Sequence, residues 1–521
     1  MNYLRIADFN NKTADEYSSA YMIQSVKPER DLSEDYVLPD YLPDAKKILK
    51  FIVDPVIQTR FQGSSGFEFS GTLYCRALYF AEDSSLRLAS FSIPFEEHIP
   101  CEDAREDCVD LLDVNVVSAL CRLQNPRKLN ARIKVEFPLK IWQRSSTLPE
   151  LYGGTGRESS LQTLVLPVPS MNVISLREDD LSFAEDISVD KTMPDIDRIV
   201  LCEAQVFFDQ CHASKDQVVC RGNLFLECIY SSSSGENQFF KKVIPVSDSF
   251  SCSGADTDCS VFAKCFSRIP EVNISADEFG ALRIIELDLS YGVDITLIKE
   301  KNVLYTADAF STLGYADVMS NDIDLYTPCQ KISSSFSVSE SIEAKDVGVS
   351  KEESILACYL TPEMSLQSKG GGKHGKLLFE GDCKALLILS RPDGSIREGE
   401  LHIPIKYESD HPFREDAFYE CSGICRASLS RIRFDSEQIF FDFEVMISFD
   451  VLSRQRINAV NCIRILPESP KERESASTIT LYYPSPSESI WDVAKKYGVT
   501  RERIASENSI SSSELPSVIK I

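Results

Sequence analysis

Histidine is scarce in this chain, with 5 in 521 residues, and tryptophan occurs twice. His98, His212, His374, His402 and His411 share no common spacing. The commonest general base and a common zinc ligand are thus absent as organising residues, so neither a catalytic triad nor a histidine-based metal site is expected. No Cys-x-x-Cys occurs; Cys421 and Cys425 come nearest, with no second ligand pair beside them. No metal and no cofactor is expected, and an enzyme is not. Basic residues are outnumbered, 55 Lys and Arg against 80 Asp and Glu, for a formal net charge of −25. That charge repels phosphate backbones and anionic lipid, which argues against nucleic acid as a partner. No apolar run approaches the roughly 20 residues that span a bilayer, and residues 1–10, holding Arg5 and Asp8, lack the apolar core of a signal peptide. A cytoplasmic protein is expected. Gly370 to Lys376 fits G-x-x-x-x-G-K, but Leu377 stands where a phosphate loop needs Ser or Thr, and a strand-like run follows instead of a helix.

What is present describes a globular chain: 43% hydrophobic and 26% charged residues over a length that suits several domains. The 17 cysteines are odd in number and scattered through strand-like runs such as Leu73-Tyr74-Cys75-Arg76-Ala77. They read as reduced, buried thiols behaving as small hydrophobes rather than as a disulfide framework.

Three segments repeat without a gap. Gly71 and Pro94, Gly222 and Pro245, and Gly381 and Pro404 are each 23 residues apart, in matching apolar surroundings. Leu42-Pro43-Asp44 precedes the first glycine and Met193-Pro194-Asp195 the second, each proline 28 residues ahead; the third copy has diverged there, with Glu353-Ser354. Copies begin about every 150–160 residues, a domain-sized period rather than a solenoid one. Within each, Leu73, Cys75, Ala77 and Tyr79 and their counterparts alternate as half-buried strands do. A turn and a second strand follow, which Ile-Pro is expected to terminate. Further strands are predicted at 114–123, 129–137, 282–298, 424–432 and 438–451. The glycines are expected to mark a bulge or a close backbone approach. The fold class is mainly β: three tandem antiparallel sandwich- or barrel-like domains, at 1–141, 161–312 and 327–466, with linkers at 143–160, 313–326 and 467–477.

Residues 475–521 form a different unit. A strand at 479–483 leads to Ser489, a helix cap, and then to Ile490, Val493, Ala494 and Tyr497 on one face. Gly498 closes the helix, a second begins at Thr500, and 515–521 returns as a strand, giving β-α-α-β. Trp491 lies about 100° round from Ile490, at the edge of the stripe, and is expected to anchor a partner, with Ile479 beside it.

The repeat resembles the SPOCS domain of sporulating Firmicutes through its Leu-Pro-Asp lead-in, glycine-bearing strand, Ile-Pro-Phe end and Asn125-Pro126-Arg127-Lys128; copy 1 carries the resemblance best. The tail resembles a LysM module. Together they resemble the SipL-like family of spore coat morphogenetic proteins. That resemblance implies a non-enzymatic scaffold on the mother-cell side of the forespore surface. It would join a SpoIVA-like coat ATPase and other coat proteins through the tail. A LysM alone would imply a peptidoglycan-binding wall protein. Against that, Ser487-Glu488-Ser489 replaces the glycine-led segment usual in glycan-binding modules, while Asn508 is kept.

Overall fold

The computed structural model describes residues 3–5, 19–63, 66–101, 108–145, 152–154, 160–367, 376–412, 418–435, 437–470, 480–485, 488–510 and 515–521. Nearly all regular structure is β, with two short helices near the C-terminus. Each repeated segment lies in a three-stranded antiparallel meander. Meander 1 is Ala45–Gly63, Gly66–Ala81 and Leu86–Pro100; meander 2 is Ile196–Ser214, Gln217–Ser232 and Asn237–Ser251; meander 3 is Ser354–Leu366, Lys376–Ser390 and Ile396–Pro412.

The 23-residue spacing is a statement of register. Thr72 pairs with Pro94, Asn223 with Pro245 and Asp382 with Pro404, so in each copy the proline opposes the residue after the glycine. The prolines do not end their strands as expected; each lies inside the third strand. That strand pairs on one side within its meander, and an edge position tolerates a residue with no N–H to give. Each glycine sits mid-sheet, where a Cβ would overlap a neighbouring carbonyl: Val56 O at Gly71, Phe207 O at Gly222 and Glu363 O at Gly381. Strand irregularities lie opposite the first two, between Ile57 and Thr59 and between Phe208 and Gln210.

A second sheet faces each meander. In copy 1 it is Glu29–Val37, Lys128–Glu136 and Asn115–Asn125. The longer equivalents are Leu161–Ser188 with Leu282–Ser311 in copy 2, and Gly314–Glu343 with Gln438–Pro470 and Phe418–Phe434 in copy 3. The core of copy 1 lies between its sheets, where Phe69, Leu73 and Phe95 meet Ile133, Val135 and Phe137. Several predicted strands run longer than expected, and 313–326 is no linker, since from Gly314 it belongs to a strand paired with Gln438–Pro470. The linker at 467–477 likewise begins inside that strand, and residues 471–477 lie outside the described residues.

The three meanders close on one another. The third strand of each packs against the first strand of the next: Leu86–Pro100 against Ile196–Ser214, Asn237–Ser251 against Ser354–Leu366, and Ile396–Pro412 against Ala45–Gly63. The residue seven places after each glycine, Leu78, Ile229 and Ile388, is buried in one shared apolar cluster with Leu49, Leu201 and Tyr359. A second shared cluster gathers Trp142 of copy 1, Met171 and Ile298 of copy 2, and Tyr326 and Leu452 of copy 3.

Candidate functional site

The C-terminal module is built by local rules. Strands Leu481–Tyr482 and Ile519–Lys520 pair antiparallel beside helices Ile490–Tyr497 and Arg501–Asn508. Ser489 caps the first helix and Asp492 answers it, Ser489 accepting from Asp492 N and Asp492 accepting from Ser489 N. Gly498 ends that helix with φ 65°, a left-handed conformation suited to glycine. Asn508 ties the second helix to the last strand: its Nδ2 donates to Ile504 O and Lys520 O, and its Oδ1 accepts from Lys520 N at 2.7 Å. Glu488 accepts from Ser485 N and from the Tyr482 hydroxyl, and these bonds hold its carboxyl below the usual range. Three expected partner-binding residues, Glu488, Ser489 and Asn508, are thus engaged within the module. Ser487 and Ile479 lie outside the described residues.

Trp491 corrects an expectation. It is 4% exposed, with its ring edge-on to Phe310 at 4.9 Å between centroids. Its indole N–H donates to Asp308 Oδ2 at 2.8 Å, and Lys495 Nζ donates to the same carboxylate. Burial works to raise the Asp308 carboxyl, but Lys495, Trp491 and the Ala309 amide outweigh it and the group stays below its ordinary range. Helical spacing placed Val493 and Ala494 inside correctly, but it put Tyr497 on the buried stripe and Trp491 at its edge, whereas Tyr497 is exposed and Trp491 is covered by the end of strand Leu282–Ser311. Trp491 therefore fastens the module to copy 2. Leu481, Tyr483 and Tyr497 are 61%, 70% and 37% exposed. Tyr482 meets Tyr497 edge-on, and Lys496 Nζ stands 4.6 Å from the Tyr482 ring centre.

A cavity of about 310 Å³ lies between the meanders. Lys50 and Arg76 of copy 1 meet Glu203 and Glu227 of copy 2 there, with Tyr359 and Arg426 of copy 3. Lys50 pairs with Glu203, and Arg76 donates to Cys202 O at 3.0 Å. Arg426 donates to Gln205 at 2.6 Å and lies 3.6 Å from Glu227. Burial pulls the Lys50 ammonium below its ordinary range and pushes the Glu227 carboxyl above its own. These ion pairs join copies, and sequence reasoning missed them. The available signal was Arg76 and Glu227, both five places after their glycine and each flanked by apolar residues. Among the described residues no group of three or more His, Cys, Asp or Glu could hold a metal ion. The glycine-lysine loop to Gly375 lies outside the described residues, and a strand follows at Lys376.

Residues 195–276 match the family described as SipL, SPOCS domain. The SPOCS match opens at Asp195, the end of the second lead-in, and runs through meander 2 to strands Ser260–Ser267 and Glu271–Ala276. It falls on copy 2, whereas the resemblance is expected to be strongest in copy 1. Searches of the curated proteins and of the solved structures each gave no match. Among the described residues no helix is long and apolar enough to cross a membrane.

Proposed function

We propose that this chain is a non-enzymatic scaffold of spore coat assembly: three SPOCS-type β-domains and a LysM-type module that docks a SpoIVA-like coat ATPase. The SPOCS match over residues 195–276 carries the reading. The glycine-proline register repeated in all three meanders extends it to copies 1 and 3. The scaffold works on the mother-cell side of the forespore surface, and other coat proteins meet its β-domains. The module turns Trp491 inward and leaves Leu481, Tyr483 and Tyr497 exposed for the partner. The missing glycine before Ser489 and the engaged Glu488 favour protein over peptidoglycan as its ligand.

Affinity purification from sporulating cells, with the full chain and with a chain ending at residue 474, tests the proposal. The ATPase is expected with the full chain and lost with the shorter one. Saturable, salt-resistant retention of the module on purified sacculi would establish the peptidoglycan reading instead. Replacing Tyr483 and Tyr497 by Glu should weaken partner binding by about thirtyfold or more, since a desolvated aromatic anchor contributes ~2–4 kcal/mol. Trp491→Ala should free the module from copy 2, read as faster proteolysis near residues 471–479 with the β-domains' melting unchanged.

A further inference from the structure

We infer that meander 2 holds a built site of oxidative modification: Cys202 with Cys228, and further along the same strands Cys211 with Cys220, are latent cross-strand disulfides. The register opposes the members of each pair directly. Opposed residues of an antiparallel pair have Cα atoms ~4.5–5.5 Å apart, inside the ~4.4–6.8 Å that a disulfide spans. The Cys228 thiol donates to Cys202 Sγ at 2.9 Å. The other meanders lack this opposition: Cys75 faces Val53 and Phe91, Cys358 faces Leu387, and Cys383 faces Pro362 and Ile403.

All four thiols are free and buried. The Cys202–Cys228 hydrogen bond and then burial hold the Cys228 thiol far above its ordinary range. In a reducing compartment the pairs stay open. A peroxide closes them in two steps. The O–O bond breaks as the Cys202 sulfur gains oxygen, giving a sulfenic acid and one water; the Cys228 sulfur then displaces that hydroxyl, forming S–S and a second water. Two thiols are oxidised and one peroxide is reduced. The register already opposes the two cysteines, so the strands need not slide.

The position gives the bond a task. Glu203 and Glu227 adjoin these cysteines and face each other, and they receive Lys50 from copy 1 and Arg426 from copy 3. A Cys202–Cys228 bridge would fix the segment by which copy 2 grips both neighbours, hardening the scaffold once its surroundings turn oxidising.

The test treats the folded full chain with hydrogen peroxide, blocks the remaining thiols, and maps peptides without reduction. Linked peptides Cys202–Cys228 and Cys211–Cys220, a loss of four titratable thiols, a higher guanidinium midpoint and reversal by dithiothreitol are expected. Cys202→Ala should abolish the first bridge and leave the second. Should that variant misfold, the wild-type peptide map alone decides. The proposal is overturned if peroxide leaves these four cysteines as thiols while others oxidise, or if the bridges form after denaturation and not before.

Discussion

Copies 1 and 2 fasten the loop leading into the meander with the same atoms, whereas copy 3 uses others. The Tyr79 hydroxyl donates to Pro43 O at 3.1 Å and the Tyr230 hydroxyl to Pro194 O at 3.0 Å. Behind the loop, Arg127 donates to Leu38 O and Leu42 O at 2.8 and 2.9 Å, and Arg283 to Met193 O at 2.8 Å. In copy 3 the tyrosine position is Leu389, and the carboxylate of Glu353 does the fastening. Its side chain is 2% exposed and accepts from Arg391 Nε at 2.8 Å, Arg397 Nε at 2.6 Å and Ser350 N at 2.9 Å. The demand that polar groups beside a buried sheet end be paired is common to all three copies. Tyrosine hydroxyls and arginine guanidinium groups on carbonyls meet it in two, with the half-exposed Asp44 and Asp195 paired to those arginines, and a buried carboxylate meets it in the third, so their responses to mutation and to acid should part.

The largest effect should come from Gly381→Ala, where the new Cβ overlaps Glu363 O and backbone must give way. A loss of about 4 kcal/mol is expected on denaturant titration. Gly71→Ala should cost less, because its overlap with Val56 O is shallower than that of Gly381 with Glu363 O; equal losses would show that the two sites do not differ in this way. Glu353→Ala leaves Arg391 and Arg397 without their carboxylate and should cost about 3 kcal/mol, against about 1 kcal/mol each for Tyr79→Phe and Tyr230→Phe. The reverse ranking would mean that copy 3 is not held by its ion pair.

Acid sharpens the same contrast. Hydrogen bonding to Arg397, above all, holds the Glu353 carboxyl down to about 2 from an ordinary 4.5. Its folded pKa is depressed, so its contribution is complete above the ordinary value and drains away as pH falls toward about 2. The phenols of Tyr79 and Tyr230, both raised by burial, carry no charge in that window. Between about pH 5 and about pH 3, amide exchange in Ser354–Leu366 should quicken before exchange in Ala45–Gly63, and Glu353→Gln should remove the difference. Simultaneous loss in both strands would contradict this.

The repeat was readable because register is local. A hairpin of fixed length turns a pairing of Thr72 with Pro94 into a fixed interval along the chain, and three equal intervals declare three equal hairpins. The module was readable for the same reason, its caps and stripe lying within a few residues of each other. Strand Gly314–Glu343 was hidden because Ser320-Asn321-Asp322 reads as a linker until the partner strand is known. Trp491 was misread because Asp308, its partner, lies 183 residues away. The ion pairs between copies have the same character: Lys50 meets Glu203 at a separation of 153 residues, and no spacing rule reaches that far.

The cyclic contact of the meanders also bears on how such a chain can evolve. An open array lengthens or shortens by whole repeats, since each added unit finds a free end to stack on. Here the third strand of copy 3 already meets the first strand of copy 1, and no free end remains. Deleting one copy would expose two apolar faces, and inserting a fourth would have to open one of the three joints. Recombination between copies therefore produces misfolded products rather than longer or shorter scaffolds, and the number three is protected by geometry while each copy remains free to diverge.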